Sequence, residues 1–231
     1  MAFKKKSSHK KVYITIILLV VLIVASAAII FATQNPSAKT VFVGVQAGDT
    51  FTYHLLGTSN LTSIAAVETP GFSVYNNTDY YQITVTNVQG TSVSIDTLWV
   101  LKNASSTTGS QTIDLSNGNK TAENGFWAIY ASNLNVGDLL RPNGFDGVTV
   151  NASSTITYAD SSRERNFMGI GAESYLATDP THSTLRYDTT LLYFDKQTGM
   201  LETLIWATDY NNPEMRETIT WTLVSSSVWP V

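Results

Sequence analysis

Tyr81-Gln82-Ile83-Thr84-Val85-Thr86-Asn87-Val88 alternates apolar and polar side chains over most of its length, the period of two that a half-buried β-strand imposes because successive side chains leave opposite faces. Gln89-Gly90 follows as a short turn signal, and Ser92 to Leu101 returns as a second run containing Val93, Ile95, Leu98, Trp99 and Val100. The two runs read as a hairpin. Further along, Gly147 to Tyr158, with Val148, Val150, Ile156 and Tyr158, reads as a polar-faced strand, and Leu185 to Phe194 continues the theme. Met200 to Thr208 and Arg216 to Val224 close the chain, with Leu201, Leu204, Trp206, Ile219, Trp221 and Leu223 as core candidates. Only Glu123 to Ser132 reads as a short helix, with Phe126, Trp127, Ile129 and Tyr130 as its apolar stripe. Strands at short spacing with turn chemistry between them favour an antiparallel meander, since parallel pairs need long crossovers.

The other decisive stretch is Val12 to Ala32, uncharged and preceded by Lys4, Lys5, Lys6, Lys10 and Lys11. As a helix it spans roughly 31 Å, close to the hydrocarbon thickness of a bilayer. The lysines in front of it predict a cytoplasmic N-terminus and an exported remainder. The expected organisation is therefore a basic head over 1–11, a transmembrane helix over 12–32, a polar linker over 33–40 and an extracytoplasmic β domain over 41–231. Ala25-Ser26-Ala27 is a cleavage pattern of the signal-peptidase kind, and cutting near Ala27 would release a secreted protein. The apolar run continues through Ile29, Ile30 and Phe31, which an anchor needs and a signal peptide does not, so an anchor is expected.

The fold class expected from these readings is mainly β: an N-terminal transmembrane helix followed by a curved antiparallel sheet, as an open half-barrel, barrel or sandwich, with at most one or two short helices. An open sheet with one short helix against its concave side is preferred. The chain has no cysteine, so neither a disulfide nor a lipid-modified cysteine is available.

Behind the apolar stretch nine basic residues face 18 carboxylates, a net charge of −9. Nucleic acid and anionic headgroups both require basic surfaces, so neither is expected as a partner. Solubility is the plain reason for such a surface.

Tyr193-Phe194-Asp195-Lys196-Gln197-Thr198-Gly199-Met200-Leu201 is the best local motif. Asp195 and Thr198 can hydrogen-bond nearby amides, and Gly199 accepts the positive φ of a tight hairpin. With it, the chain resembles exported antiparallel β proteins that repeat a strand, a D-x-x-T-G turn and a second strand, including the half-barrels of the lipoprotein-carrier type. It is also similar to uncharacterised archaeal membrane-anchored proteins, through Gly48-Asp49 followed by Phe51 and Tyr53, through Asn133-Leu134-Asn135-Val136-Gly137-Asp138, and through the same turn. The resemblance implies the fold class and no activity.

Catalytic sets are tested by elimination. Of three histidines, His9 lies before the apolar stretch, His54 sits within an apolar run and His182 in a polar one. An exported site built from several imidazoles is excluded, and no metal ligand set or cofactor is assigned. G-x-S-x-G, H-E-x-x-H, the Walker loop and the dinucleotide fingerprint are absent. Asp96, Glu164, Glu173, Asp188 and Glu202 lie in or near strands and could converge as an acid and base pair. Arg163 and Arg165 share one face of an extended segment and are candidates for clamping an anion. Asp114 to Asn119 and Asp209 to Glu214 offer hard oxygens without the spacing of a calcium loop. Asn60, Asn76, Asn103, Asn119 and Asn151 stand in N-x-S/T sequons and are glycosylation candidates. Trp99, Trp127, Trp206, Trp221 and Trp229 are expected mostly in the core. The functional expectation is a membrane-anchored, non-catalytic binding module for a hydrophobic ligand or a surface protein. A cell-surface hydrolase using carboxylates is the alternative.

Overall fold

The computed structural model describes residues 40–61, 64–122, 128–144, 146–158, 161–175 and 184–231. The basic head, the apolar stretch 12–32 and all of the linker except Thr40 lie outside them. Among the described residues no helix is long and apolar enough to cross a membrane.

Nine strands form one antiparallel sheet: β1 (Thr50–Leu61), β2 (Thr78–Gln89), β3 (Ser92–Leu101), β4 (Ser106–Asp114), β5 (Ala152–Tyr158), β6 (Ser161–Tyr175), β7 (Leu185–Asp195), β8 (Leu201–Asn211) and β9 (Glu214–Ser226). Their order is β4-β3-β2-β1-β9-β8-β7-β6-β5. Two meanders are thus joined where β1 and β9 pair, and the sheet is not closed. The hairpin read from Tyr81 to Leu101 is β2 and β3, with Tyr81 opposite Trp99 and Val85 opposite Ile95.

Pairing register fixes which side chains share a face. Leu55 stands opposite Trp221, Trp221 opposite Leu204, Leu204 opposite Leu192 and Leu192 opposite Met168. Tyr53, two residues before Leu55, stands opposite Tyr81, which faces Trp99 in turn. This row runs along the inner face from β6 to β3. Strands near both ends of the order line one cavity, so the sheet curls round that face.

Two segments cover the inner face. Between β1 and β2, a single 3₁₀ turn, Phe72–Val74, buries Phe72. The Phe72 ring packs over Gly57, 3.1 Å from where an added Cβ would stand, so any side chain there would have to push the ring back. The Thr69 amide and hydroxyl both donate to Glu217, each at 2.6 Å. The second cover is the connection 115–151. Within it, the expected helix over Glu123 to Ser132 is not formed where it is described. Residues 128–132 are extended, with Ile129 bridged to Met200 and Ser132 to Phe42. Ala128, Ile129, Tyr130 and Ala131 are all buried. A segment enclosed on every side needs no amphipathic stripe, and its backbone finds partners in the hairpin turn instead. Glu123 to Trp127 lie outside the described residues.

β4 is a strand without a sequence signal. Ser106–Asp114 reads STTGSQTID with five exposed residues in a row, and an edge strand that buries little carries no apolar alternation to read.

Candidate functional site

The Asp195 turn is assembled from local hydrogen bonds. Asp195 Oδ1 accepts from the Thr198 amide and hydroxyl, each at 2.7 Å, and Gly199 has φ of 74°. The Gly199 amide donates to the Asp195 carbonyl at 2.8 Å. The covering connection then docks on this turn: the Tyr130 amide donates to the Gly199 carbonyl at 2.9 Å and the Leu201 amide to the Ala128 carbonyl at 2.8 Å.

Arg163 and Arg165 lie beside this turn, each held by protein groups. The Arg163 guanidinium makes a bidentate pair with Asp195 at 2.7 and 2.9 Å and stacks 4.4 Å from the centre of the Trp229 ring. Arg165 stacks 4.6 Å from the Tyr193 ring, with Nη1 3.9 Å from Glu202. Asp195 is fully buried, and Glu202 is 2% exposed at a register shift where Leu201 and Glu202 both turn inward. Burial pushes the Glu202 carboxyl up to about 7, with the Asp195 charge adding to the rise and the Tyr158 hydroxyl and both guanidiniums opposing it. The Tyr158 phenol is raised by burial and by Glu202. None of these charged residues lines the cavity. The group is therefore a buried ionic clasp set apart from that cavity.

The other carboxylates do not converge with it. Asp96 accepts from Ser110 on the neighbouring strand at 2.6 Å, and Glu164 pairs with Lys196 at 3.1 Å. Asp188 accepts from Thr208 at 2.7 Å and from Arg186 at 3.0 Å, and Glu173 is exposed. Asp114 is taken by turn contacts from Thr91, Ser116 and Asn117, and Asp209 lies 3.7 Å from Arg216 near the β8–β9 hairpin tip. Among the described residues no group of three or more His, Cys, Asp or Glu is arranged to hold a metal ion. His54 is exposed on β1 opposite Thr222, and His182 lies outside the described residues.

The inner face carries the candidate site, a cavity of about 680 Å³. That volume falls within the roughly 300–1,000 Å³ of small-molecule sites. One wall is aromatic. Tyr81 lies 4.7 Å from Trp221 and 5.7 Å from Trp99, with Tyr75 6.1 Å from Trp99. The sheet face continues from it as an aliphatic wall of Ile219, Leu204, Leu192 and Met168. Trp206, 38% exposed, and Ile170, 39% exposed, form its rim.

Indole donors around this cavity are turned into the protein. Trp99 Nε1 donates to Thr78 at 2.7 Å and Trp206 Nε1 to Asp188 at 3.3 Å. Trp99 and Trp206 accordingly offer the cavity their ring faces, and its lining also includes Arg141, Asp146 and threonines such as Thr97 and Thr190. Of the expected core tryptophans, Trp221 and Trp229 are buried, but Trp99 is half-buried, Trp206 is exposed, and Trp99, Trp206 and Trp221 all line the cavity. Trp127 lies outside the described residues.

Arg141 belongs to the cavity wall contributed by the connection. It is 1% exposed, and its guanidinium lies 4.6 Å from the centre of the Tyr130 ring. Burial lowers its pKa and pushes the Tyr130 phenol up to about 12. The sequence carries no signal for this role, because Arg141-Pro142-Asn143-Gly144 reads as an ordinary turn. No protein-family model and no curated protein matches the chain.

Proposed function

We propose that the chain is a single-pass membrane-anchored binding module, its β domain outside the cell as an open half-barrel that takes an apolar ligand on its inner face without turning it over. The cavity carries this reading. As an enclosed void, 680 Å³ at roughly 24 cal/mol per Å³ would cost about 16 kcal/mol, as much as a whole domain's stability. A packing defect of that size does not persist, whereas a site open to solvent and ligand does. The walls, mostly apolar with Arg141 and Asp146 among them, favour a ligand whose buried part is largely apolar.

One observation favours the alternative hydrolase: Glu202, near 7, lies in the range of a general acid, close to a second carboxylate. Against it, Asp195 already accepts four hydrogen bonds from Arg163 and Thr198, and the cavity lies elsewhere. Native mass spectrometry of the purified full chain tests the two readings together with a screen of glycosides and polysaccharides. A co-purifying apolar molecule and no turnover supports binding. Turnover abolished by Glu202→Gln in a folded protein replaces it with the hydrolase. The anchor is tested by protease added to intact cells: a tag in front of Lys4 is protected and one behind Val231 is digested, and the reverse pattern overturns the orientation.

A further inference from the structure

The sequons play no part in the cavity, and the fold treats them unequally. A sequon functions as an acceptor when a transferase can reach Asn Nδ2 and the hydroxyl two residues on can address the same carboxamide. At Asn76, although the side chain is exposed, the second condition fails. Its Oδ1 accepts the Gly57 amide at 2.9 Å, while the Thr78 hydroxyl donates to the Val74 carbonyl at 2.9 Å and accepts from Trp99. Thr78 is 2% exposed. At Asn151, Oδ1 accepts the Gly169 amide at 2.7 Å, and the Ser153 hydroxyl donates to the buried Asn166 at 2.6 Å. At Asn119 the Thr121 hydroxyl is turned away to the Thr112 amide at 3.0 Å. Thr62, the hydroxyl residue of the Asn60 sequon, lies outside the described residues.

Asn103 differs from these three. It sits at the tip of the β3–β4 hairpin and, exposed as they are, is set apart by what its sequon hydroxyl does. Its own sequon hydroxyl, Ser105 Oγ, donates to Asn103 Oδ1 at 2.7 Å, and the Ser105 amide donates to the same atom at 3.0 Å. Both donors reach the carboxamide oxygen, so they withdraw charge from the amide and acidify the Nδ2 hydrogens. Nδ2 itself makes no hydrogen bond among the described residues. The tip is held in this form by backbone bonds from Ala104 to Leu101, from Leu101 to Ser105 and from Lys102 to Asn77.

We propose that Asn103 is the acceptor of an N-linked glycan attached to the folded domain. In the transfer, Nδ2 attacks the anomeric carbon of a glycosyl diphosphate donor. The N–C bond forms, the C–O bond to the diphosphate breaks with its electron pair leaving on the diphosphate, and the Nδ2 proton passes to a base of the transferase. In the cell this rests on the domain lying outside, which the protease experiment checks separately.

The acceptor is tested on the folded full chain in detergent, incubated with a single-subunit oligosaccharyltransferase and its lipid-linked glycosyl diphosphate donor. Site occupancy is read by peptide mass spectrometry, alongside synthetic peptides carrying each sequon. In the folded chain Asn103 is expected to be modified at least about tenfold faster than Asn76 and Asn151, which must wait for local opening. Among the free peptides that preference should disappear. Equal rates at Asn103 and either of the other two in the folded chain overturn the proposal, as does an unmodified Asn103 in the folded chain beside a modified Asn103 peptide.

Discussion

Phe194 and Leu192 are neighbours on one face of β7, yet they meet different surroundings. Phe194 is fully buried with its ring 4.9 Å from that of Tyr130, while Leu192 lines the cavity. The sheet is continuous through both, so the cover decides the outcome. Over Phe194 the connection lies as extended backbone bonded to the Asp195 turn. Over Leu192 it offers only side chains, including Leu140, Val148 and Arg141. One sheet face is thus a filled core at one end and an open trough further along, and each can be disturbed without the other.

The largest expected effect is at the filled end. Asp195→Ala leaves Arg163 without its carboxylate and removes the acceptor of the turn, and breaking such a buried pair costs about 3–5 kcal/mol. Chemical denaturation checks this, and a loss below about 1 kcal/mol would show that the clasp is not structural. Gly199→Val comes next, at about 3 kcal/mol, because a β-branched residue is strained at positive φ. An added Cβ there would also run into the Tyr130 carbonyl. An unchanged melting transition would mean that the turn and the connection do not dock as described.

The third effect depends on pH. The Glu202 carboxyl is raised from 4.5 to about 7 on folding, so between those values the folded state binds more protons than the unfolded one. The Glu202 contribution to stability is therefore most favourable below about 4.5 and declines as pH rises to about 7. Glu202→Gln removes that decline, and at pH 8 the variant should be more stable than the parent by about 2–3 kcal/mol. Parallel stability profiles for the two proteins between pH 4.5 and 8 would contradict the buried, neutral carboxyl. The smallest effect is at His54, exposed on β1, where His54→Gln should stay within about 0.5 kcal/mol. It should leave ligand binding untouched.

The two regions were unequally legible in the sequence. Tyr81–Val88, Ser92–Leu101 and the Asp195 turn could be read because alternation and turn chemistry act over a few residues. The pairing of β1 with β9 could not, because it joins the two ends of the domain and leaves no local mark. Ile129 and Tyr130 suggested a helical stripe, although their burial on all sides comes from a sheet that curls around them. The cavity was hidden for the same reason. Trp99, Trp206 and Trp221 look like core residues one at a time, and only the register across β3, β8 and β9 sets them around one space. Glu202 was one of five carboxylates under consideration, and nothing local marked it as the buried one beside Asp195.

The central claim is that the open trough binds an apolar molecule, and titration with the neutral fluorophore N-phenyl-1-naphthylamine tests it most directly. The full chain should show saturable fluorescence enhancement. Leu204→Glu, which sets a carboxylate on the aliphatic wall, should lose it while keeping the thermal transition of a folded domain. Absence of saturable binding by the parent, or binding that survives both Leu204→Glu and Ile219→Glu, would contradict the account.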